Sequence, residues 1–430
     1  MPLRPWRPGA RVLALLALVA LLSPSPRAVA QQYFDPGFFQ VPIAVRPPDT
    51  DAPGARLGSF VLFPGVDLGW AYDDNVFFTP DNELSDGVWH IRPYASLRSD
   101  WNRHAFNVTA DANIARYSDF DQNDYEDWSV TADGRLDVQQ NNWFSADVSF
   151  FNLREDRRTP DAGGPATPTD FDYWGYGLGY DHIFNRLKVG AYWNYNAFDY
   201  EDNVTGDGEF IDNSFRDRDQ NRYTVRADYQ LGPETAVFGS YAWNTIDYDV
   251  VPDANGFFRD SDGSVLSAGV VWDMTDLLTG DLFVNWSEQN YDDPRLFDVE
   301  GLGFGGGLTW TPRVTTSVNV RLAASPQETV QPGTSGSFSQ LWSVRWQEEL
   351  RRNLLFTLRG SLTDNDYEAP PDEPNALRET QVIRADVGMS YIFNRNLSVS
   401  AGYGYETQNS NVGFLEYDAN RLYLVFGFQL

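Results

Sequence analysis

From residue 58 onward, apolar and polar residues alternate with a period of two. In the stretch from Phe60 to Trp70, one parity holds Phe60, Leu62, Val66, Leu68 and Trp70, and the other holds Ser59, Gly65, Asp67 and Gly69. Trp89, Ile91, Ala95 and Leu97 alternate with His90, Arg92, Tyr94, Ser96 and Arg98. Further on, Trp128, Val130, Ala132, Leu136 and Val138 alternate with Ser129, Thr131, Asp133, Arg135 and Asp137. The chain closes with Leu422, Leu424, Phe426, Phe428 and Leu430 set against Arg421, Tyr423, Val425, Gly427 and Gln429. Side chains of a strand point alternately to its two faces, so each stretch predicts a strand with one apolar and one polar face.

Short polar corners join these strands near Trp101–His104, Gln139–Asn142, Phe184–Arg186, Leu231–Glu234, Met274–Leu277, Pro312–Val314, Glu348–Arg352 and Phe393–Asn396. Between them run longer stretches rich in Asp, Asn, Gly and Pro. The unit is therefore short turn, strand, long polar loop, strand. The passages beginning "IFNR" at Ile183 and Ile392 are two copies of its short-turn end. A unit of about 40 residues also suits a propeller blade, but a blade needs turns of similar length, and here short and long alternate. The predicted strands, at about 10 to 14 residues, exceed the usual 5–6 of soluble sheets and match the length that crosses a bilayer at a tilt.

Inside hydrocarbon every backbone N–H and C=O must be satisfied within the protein, which for strands requires a closed barrel. The sequence thus predicts an all-β fold, a single transmembrane antiparallel up-and-down β-barrel over residues 58–430. It has short periplasmic turns and long acidic outer loops. Eight short turns join sixteen strands and one more lies at each end, giving about 18. The alternative is 16, reached if the weak stretches Gly301–Trp310 and Ser264–Trp272 are not strands. Trp101, Trp143, Trp272, Trp310 and Trp346 beside the short turns are expected to form one membrane-interface girdle. Tyr72, Tyr125, Tyr200, Tyr248, Tyr291 and Tyr367 at the entries to the long loops are expected to form the other.

The first 30 residues stand apart. Arg4, Arg7 and Arg11 precede the apolar run Val12 to Leu22, and small residues follow at Ala28 to Ala30. This is the pattern of a secretory signal peptide, with cleavage expected after Ala30. Eleven apolar residues are too few to cross a bilayer core of ~30 Å as a helix. Residues 31–57 are Pro-rich without a clear period and read as a periplasmic arm, too short for a separate plug domain.

Composition sharpens the functional reading. The net charge is −29, and the signal peptide removes four arginines and no acids. A surface this acidic excludes nucleic acid as a partner. With no cysteine, there is no disulfide framework and no thiol-ligated metal. Sorted by parity, the predicted lumen carries Arg92, Arg98, Arg135, Lys188, Arg222, Arg226, Arg321, Arg345, Arg359, Arg384 and Arg421. Against these stand Asp67, Asp100, Asp111, Asp127, Asp133, Asp137, Asp147, Asp181, Asp228, Asp281, Asp386 and Glu406. Eleven cations face twelve anions, so the interior is balanced and the acidic excess falls in the outer loops. The pore-lining candidates are Arg92, Arg98, Asp111, Asp133, Arg135, Arg222, Arg226, Asp228, Arg321, Arg345, Arg359, Arg384 and Asp386. About half of the lumenal charges are expected to pair across neighbouring strands. Six arginines, Arg222, Arg226, Arg321, Arg345, Arg359 and Arg384, would form one file if the passenger were an acidic polymer.

Nothing in the sequence points to an enzyme, a cofactor or a metal site. Of the three histidines, His104 falls in a short corner, His182 on the lipid parity, and only His90 on the lumenal parity near the outer side. There is no G-x-S-x-G motif and no calcium-loop spacing.

The stretches "GSFVLFPGVDLGWAYDDNVFFTP" (Gly58 to Pro80), "IRPYASLRSDWNRHAFNVTADANIARY" (Ile91 to Tyr117) and "NDYEDWSVTADGRLDV", with the "IFNR" turns, resemble a β-barrel porin family of Gram-negative bacteria. The likeness runs over essentially the whole mature chain. It implies an outer-membrane barrel, and some members are associated with exopolysaccharide synthesis and export genes. The family supplies no catalytic or ligand residues to carry over. Many outer-membrane barrels end in Phe, where this chain ends in Leu430. The expectation is a porin-like channel of the cell outer membrane that passes small polar solutes or a secreted polysaccharide. Its partners would be membrane lipid, lipopolysaccharide and the barrel insertion machinery. The alternative expectation is a surface structural or adhesive barrel with a closed lumen, whose acidic loops bind cations or lipopolysaccharide.

Overall fold

In the computed structural model, residues 52–430 are described, except 156, 158–166, 206–207, 254–255, 276, 329–333, 335 and 369–377. The signal peptide expected over residues 1–30, and residues 31–51 of the expected arm, lie outside the described residues.

Eighteen long strands form one antiparallel sheet. They are β1 (Phe60–Asp73), β2 (Asp86–Ser99), β3 (Ala105–Tyr117), β4 (Tyr125–Gln139), β5 (Asn142–Arg154), β6 (Asp170–Phe184), β7 (Leu187–Tyr200), β8 (Arg218–Gly232) and β9 (Thr235–Tyr248). The second half comprises β10 (Ser261–Thr275), β11 (Leu278–Tyr291), β12 (Val299–Arg313), β13 (Thr316–Glu328), β14 (Gly336–Arg351), β15 (Leu354–Glu368), β16 (Glu379–Ile392), β17 (Leu397–Ser410) and β18 (Tyr417–Gln429). Each strand pairs with its neighbours in sequence, and β18 pairs back onto β1 from Gly65↔Gln429 to Asp73↔Arg421. The sheet is closed, so neither edge is left to aggregate or to meet lipid unpaired. The two stretches read as weak in sequence are the centres of β10 and β12, and the count is 18 rather than 16.

Eight short turns join strands at one end, and nine longer loops join them at the other. A three-residue strand, Ala55–Leu57, turns at Gly58 (φ +64°) and pairs with Phe60–Leu62. It lies within the stretch expected to be an irregular arm. Its reason is the edge of β1: β18 ends where the Leu430 N–H donates to the Pro64 carbonyl (3.0 Å), and the short strand covers the remainder.

Side-chain parity follows the alternation. In β18, Leu422, Leu424, Phe426 and Phe428 are exposed, while Tyr423 and Val425 are buried. The same outward face carries Trp89, Ile91, Trp174, Leu178, Trp243, Leu266, Val284, Leu302 and Val344. No helix among the described residues is long and apolar enough to cross a membrane; the strands present the apolar band instead.

The aromatic girdles need correcting. Trp101, Trp310 and Trp346 are exposed on the outer surface, and Trp272 shares the parity of outward Leu266. Trp143, however, faces inward, is buried, and lies 4.2 Å under the Arg135 guanidinium. Of the six loop-entry tyrosines only Tyr72 faces outward. Tyr200, Tyr248 and Tyr367 are buried inside, and Tyr125 and Tyr291 share the lumenal parity. They form, with Phe171, Tyr173, Phe198 and Tyr417, an inner collar at the long-loop end.

Candidate functional site

The loops fold inward onto that collar. Arg216, from the loop between β7 and β8, lies 4.0 Å from the Tyr200 ring. Its guanidinium also donates to Glu155 at 2.6 and 3.0 Å, and both residues are buried. Phe215 packs on Ile246 and Tyr248, and Phe78 meets Tyr417 edge-on. Arg259 is fully buried between Asp253 (2.7 Å) and the Thr334 carbonyl (3.3 Å), linking two loops that are 75 residues apart. These contacts narrow the long-loop mouth from within and fix its rim. Along that rim, partial burial lifts the Asp217 carboxyl to about 6, an effect the Tyr200 N–H partly offsets and Asp199, Asp249 and Asp202 reinforce. At Asp293 the guanidinium of Arg295 has the opposite effect and holds the carboxyl well below its ordinary range.

Below the collar the lumen is polar. By register and parity, all thirteen pore-lining candidates stand on the inner face. Their partners differ. Arg226 binds Asp228 (2.8 Å), Arg359 binds Asp386 (2.7 Å), Arg384 binds Glu406 (2.8 Å) and Arg135 binds Asp137 (2.7 Å). Arg92 donates to Asn113 (3.0 Å), as does Arg98 to Ser96 (3.2 Å). Asp111 accepts from Ser129 (2.8 Å), and Asp133 from Asn107 (2.8 Å). Arg222 sits in register between Asn194 and Asn244. Arg321 faces Gly307 on one side and Ser343 on the other. Arg345 faces Asn319 and Arg359.

The six-arginine file is therefore broken. Arg226, Arg359 and Arg384 are each held by a carboxylate, which interrupts it. Asp73, which is not among the acids sorted to the lumen by parity, holds Arg421 at 2.5 Å, whereas Asp100, which is among them, does not stand there. Asp100 lies past the end of β2, in the short turn, paired with Arg56 (2.8 Å). Parity was carried one residue beyond the strand. His90 does face the lumen, but its ring meets Asn113 (3.1 Å) rather than an acid.

One strand leaves the wall bare. On β12, Gly301, Gly303, Gly305 and Gly307 all face inward. Opposite them Asn285, Phe283 and Asp281 of β11 lie across the strand. A Cβ on Gly303 would stand 2.0 Å from Asn285 Oδ1, and one on Gly305 2.3 Å from the Phe283 ring. Glycine permits this close approach because it has no side chain to displace. The flattened wall stands beside Arg321, and across Gly307 the Asp281 carboxylate of β11 lies in the same register row.

A family model described as Putative beta-barrel porin 2 matches residues 47–430. The chain belongs to that family. Its porin barrel resides in the outer membrane, with the short turns periplasmic and the long acidic loops outside. No curated protein matches the sequence. Among solved structures, OpdO of Pseudomonas aeruginosa is 15% identical, covering 87% of this chain and 98% of its own, at a TM-score of 0.46. OpdL of the same organism is 12% identical, over 87% and 99%, at 0.45. The alcaligin outer-membrane receptor FauA of Bordetella pertussis is 11% identical, over 84% and 76%, at 0.39. The assignment to this porin family rests on the family match.

Proposed function

We propose that this porin-like barrel is a passive outer-membrane channel for small polar solutes, with the thirteen inward residues as its lining. What supports the reading is charge left facing water inside the barrel. Asp111, Asp133, Arg321 and Arg345 are exposed, yet their parity points inward. A filled lumen would bury such groups at a cost of several kcal/mol per unpaired ion. Eighteen strands spaced at ~4.8 Å and tilted by ~40° leave a backbone diameter of about 35 Å, ample for water.

Small solutes rank ahead of a secreted acidic polysaccharide, because half of the arginine file is neutralised by Asp228, Asp386 and Glu406. The passage involves no chemical step. The outward Phe426, Phe428 and Leu430 at the terminal strand are the segment we propose the insertion machinery reads. Single-channel recording in planar bilayers tests the reading directly. Stepwise conductance is expected, and a barrel that inserts but stays silent would favour a surface structural role for the acidic loops.

A further inference from the structure

The apolar outer surface is not evenly filled. Phe106, Gly134, Ala146, Leu178, Trp193 and Tyr223 fall in one register row across β3–β8, on the lipid-facing parity. Gly134 and Ala146 in this row, and Ala191 in the row beside it, leave the wall low between large side chains. The result is a groove of about 850 Å³, more than five times the ~150 Å³ cavity that holds a benzene. Packing within the protein does not demand the low floor. A Cβ on Gly134 would come no nearer than 3.6 Å to the Phe106 ring, an ordinary contact, and Ala146 and Ala191 are exposed. These small residues make no room for a neighbouring side chain, as those of β12 do.

The row also climbs. Counted from the short-turn ends, Phe106 is the second residue of β3, Ala146 the fifth of β5, Trp193 the seventh of β7 and Tyr223 the tenth of β8. A register row runs across the strands, so five steps of ~4.8 Å on strands tilted by ~40° rise about 15 Å. That is the hydrocarbon depth of one leaflet, half of ~30 Å. The groove's lower end meets Trp101 and His104 of the first short turn. The Asp137 N–H donates to His104 Nδ1 (3.2 Å), which leaves the ring proton on Nε2. Arg103, in the same turn, is exposed and donates to the Val138 carbonyl, which holds its guanidinium against the end of β4. Three consecutive short turns here, Trp101–His104, Gln139–Asn142 and Phe184–Arg186, hold no acid in a chain of net charge −29. Asp100, just before the first of them, is engaged by Arg56 at 2.8 Å. An apolar groove that ends at a cation at headgroup level is complementary to a lipid phosphate.

We propose that this groove binds one anionic phospholipid of the periplasmic leaflet, with an acyl chain along Ala146 and Ala191 and the phosphate at Arg103. The chain would enter at the short turns and end near the bilayer centre beside Tyr223. A second copy of the barrel fits the face less well. Paired about a two-fold axis, it would set the same acid-free turns, with Arg103 and Arg186, against each other. The inference concerns the outer wall and does not depend on whether the lumen conducts.

The test is native mass spectrometry of the full barrel, released from detergent micelles doped with phosphatidylglycerol or phosphatidylcholine bearing the same two oleoyl chains. Wild type should retain one phosphatidylglycerol, about fivefold more than phosphatidylcholine. Arg103→Glu should abolish that preference. A146L/A191L fills the floor from exposed positions and should lower retention of both lipids by about tenfold, the loss of about two buried methylenes. Equal retention of the two lipids by wild type, or retention untouched by both variants, overturns the proposal and leaves only the annular lipid that any barrel carries. A filled variant that passes from oligomer to monomer with its lipid unchanged would assign the face to a second copy. Lipopolysaccharide in the same micelles should not displace the phospholipid; displacement that Arg103→Glu prevents would show the wrong lipid to have been assigned. Should one variant fail to fold, the other still decides. A wild type that holds lipid but never conducts refutes the channel and leaves this site standing.

Discussion

Val344 and Ser343 are adjacent near the middle of β14, and the barrel reading assigns them to opposite solvents. Val344 is 42% exposed on the apolar outer surface. Ser343 is half-buried on the inner face, in register with Arg321 and Ser361. An arginine facing lipid at the bilayer midplane costs about 2–4 kcal/mol in an outer-membrane barrel. At 1.4 kcal/mol per tenfold, Val344→Arg should weaken the folding equilibrium by about thirtyfold to nearly a thousandfold. Ser343→Arg instead enters water. Its main penalty is repulsion from Arg321, which at ~6 Å in a dielectric of ~80 is under about 1 kcal/mol. Denaturant titration of folding into lipid vesicles separates the two. Equal losses, or a larger loss for Ser343→Arg, would mean that the apolar parity does not face acyl chains, and the membrane assignment of every strand would fall with it.

Three further outcomes are expected. Glu155→Ala strands the buried Arg216 without its anion and should cost about 3–5 kcal/mol of loop stability, read as faster amide exchange at the Arg216 N–H, which donates to Asn213; unchanged protection would show the pair to be ornamental. Gly305→Val would drive a side chain into the Phe283 ring and destabilise by about 1–3 kcal/mol, and Phe283→Ala in the same chain should recover most of that, so a simple sum of the two losses would contradict the contact. Partial burial raises Asp217 to about 6, so between about pH 4 and 6 the folded rim binds more proton than the open one and its stability falls as pH rises. The protection factor of the Tyr200 N–H, which donates to Asp217, should therefore fall across that window once the intrinsic pH dependence of exchange is divided out, and be flat in Asp217→Asn; a wild-type protection factor without slope would contradict the burial.

Much of this was legible because a strand's two faces see different solvents. The number of strands, their turns and the inward residues follow from alternation, and even the Gly-rich β12 was located, though as a weak element. Its weakness was a clue misread. Glycine lowers strand propensity, but here Gly303 and Gly305 make room for Asn285 and Phe283 from the next strand. What alternation cannot supply is register. Nothing near Arg359 in sequence says that Asp386 lies directly across from it, and Glu155 and Arg216 are separated by 61 residues. The tyrosines were misassigned for a related reason. "DYED" marks a strand end, but which face the ring takes depends on one residue of parity, and five of six turn inward.

The ladder joins every strand to its neighbours in sequence except at one place, where β18 returns to β1. That seam is no different in kind from the other seventeen. The ring has no privileged starting point, and Leu430 ends one hydrogen bond from Pro64, beside the short strand Ala55–Leu57. A permuted gene that fuses these ends and opens the chain at the turn Asn185–Arg186 would encode the same ring of strands, with its entrance to the ribosome moved a third of the way round.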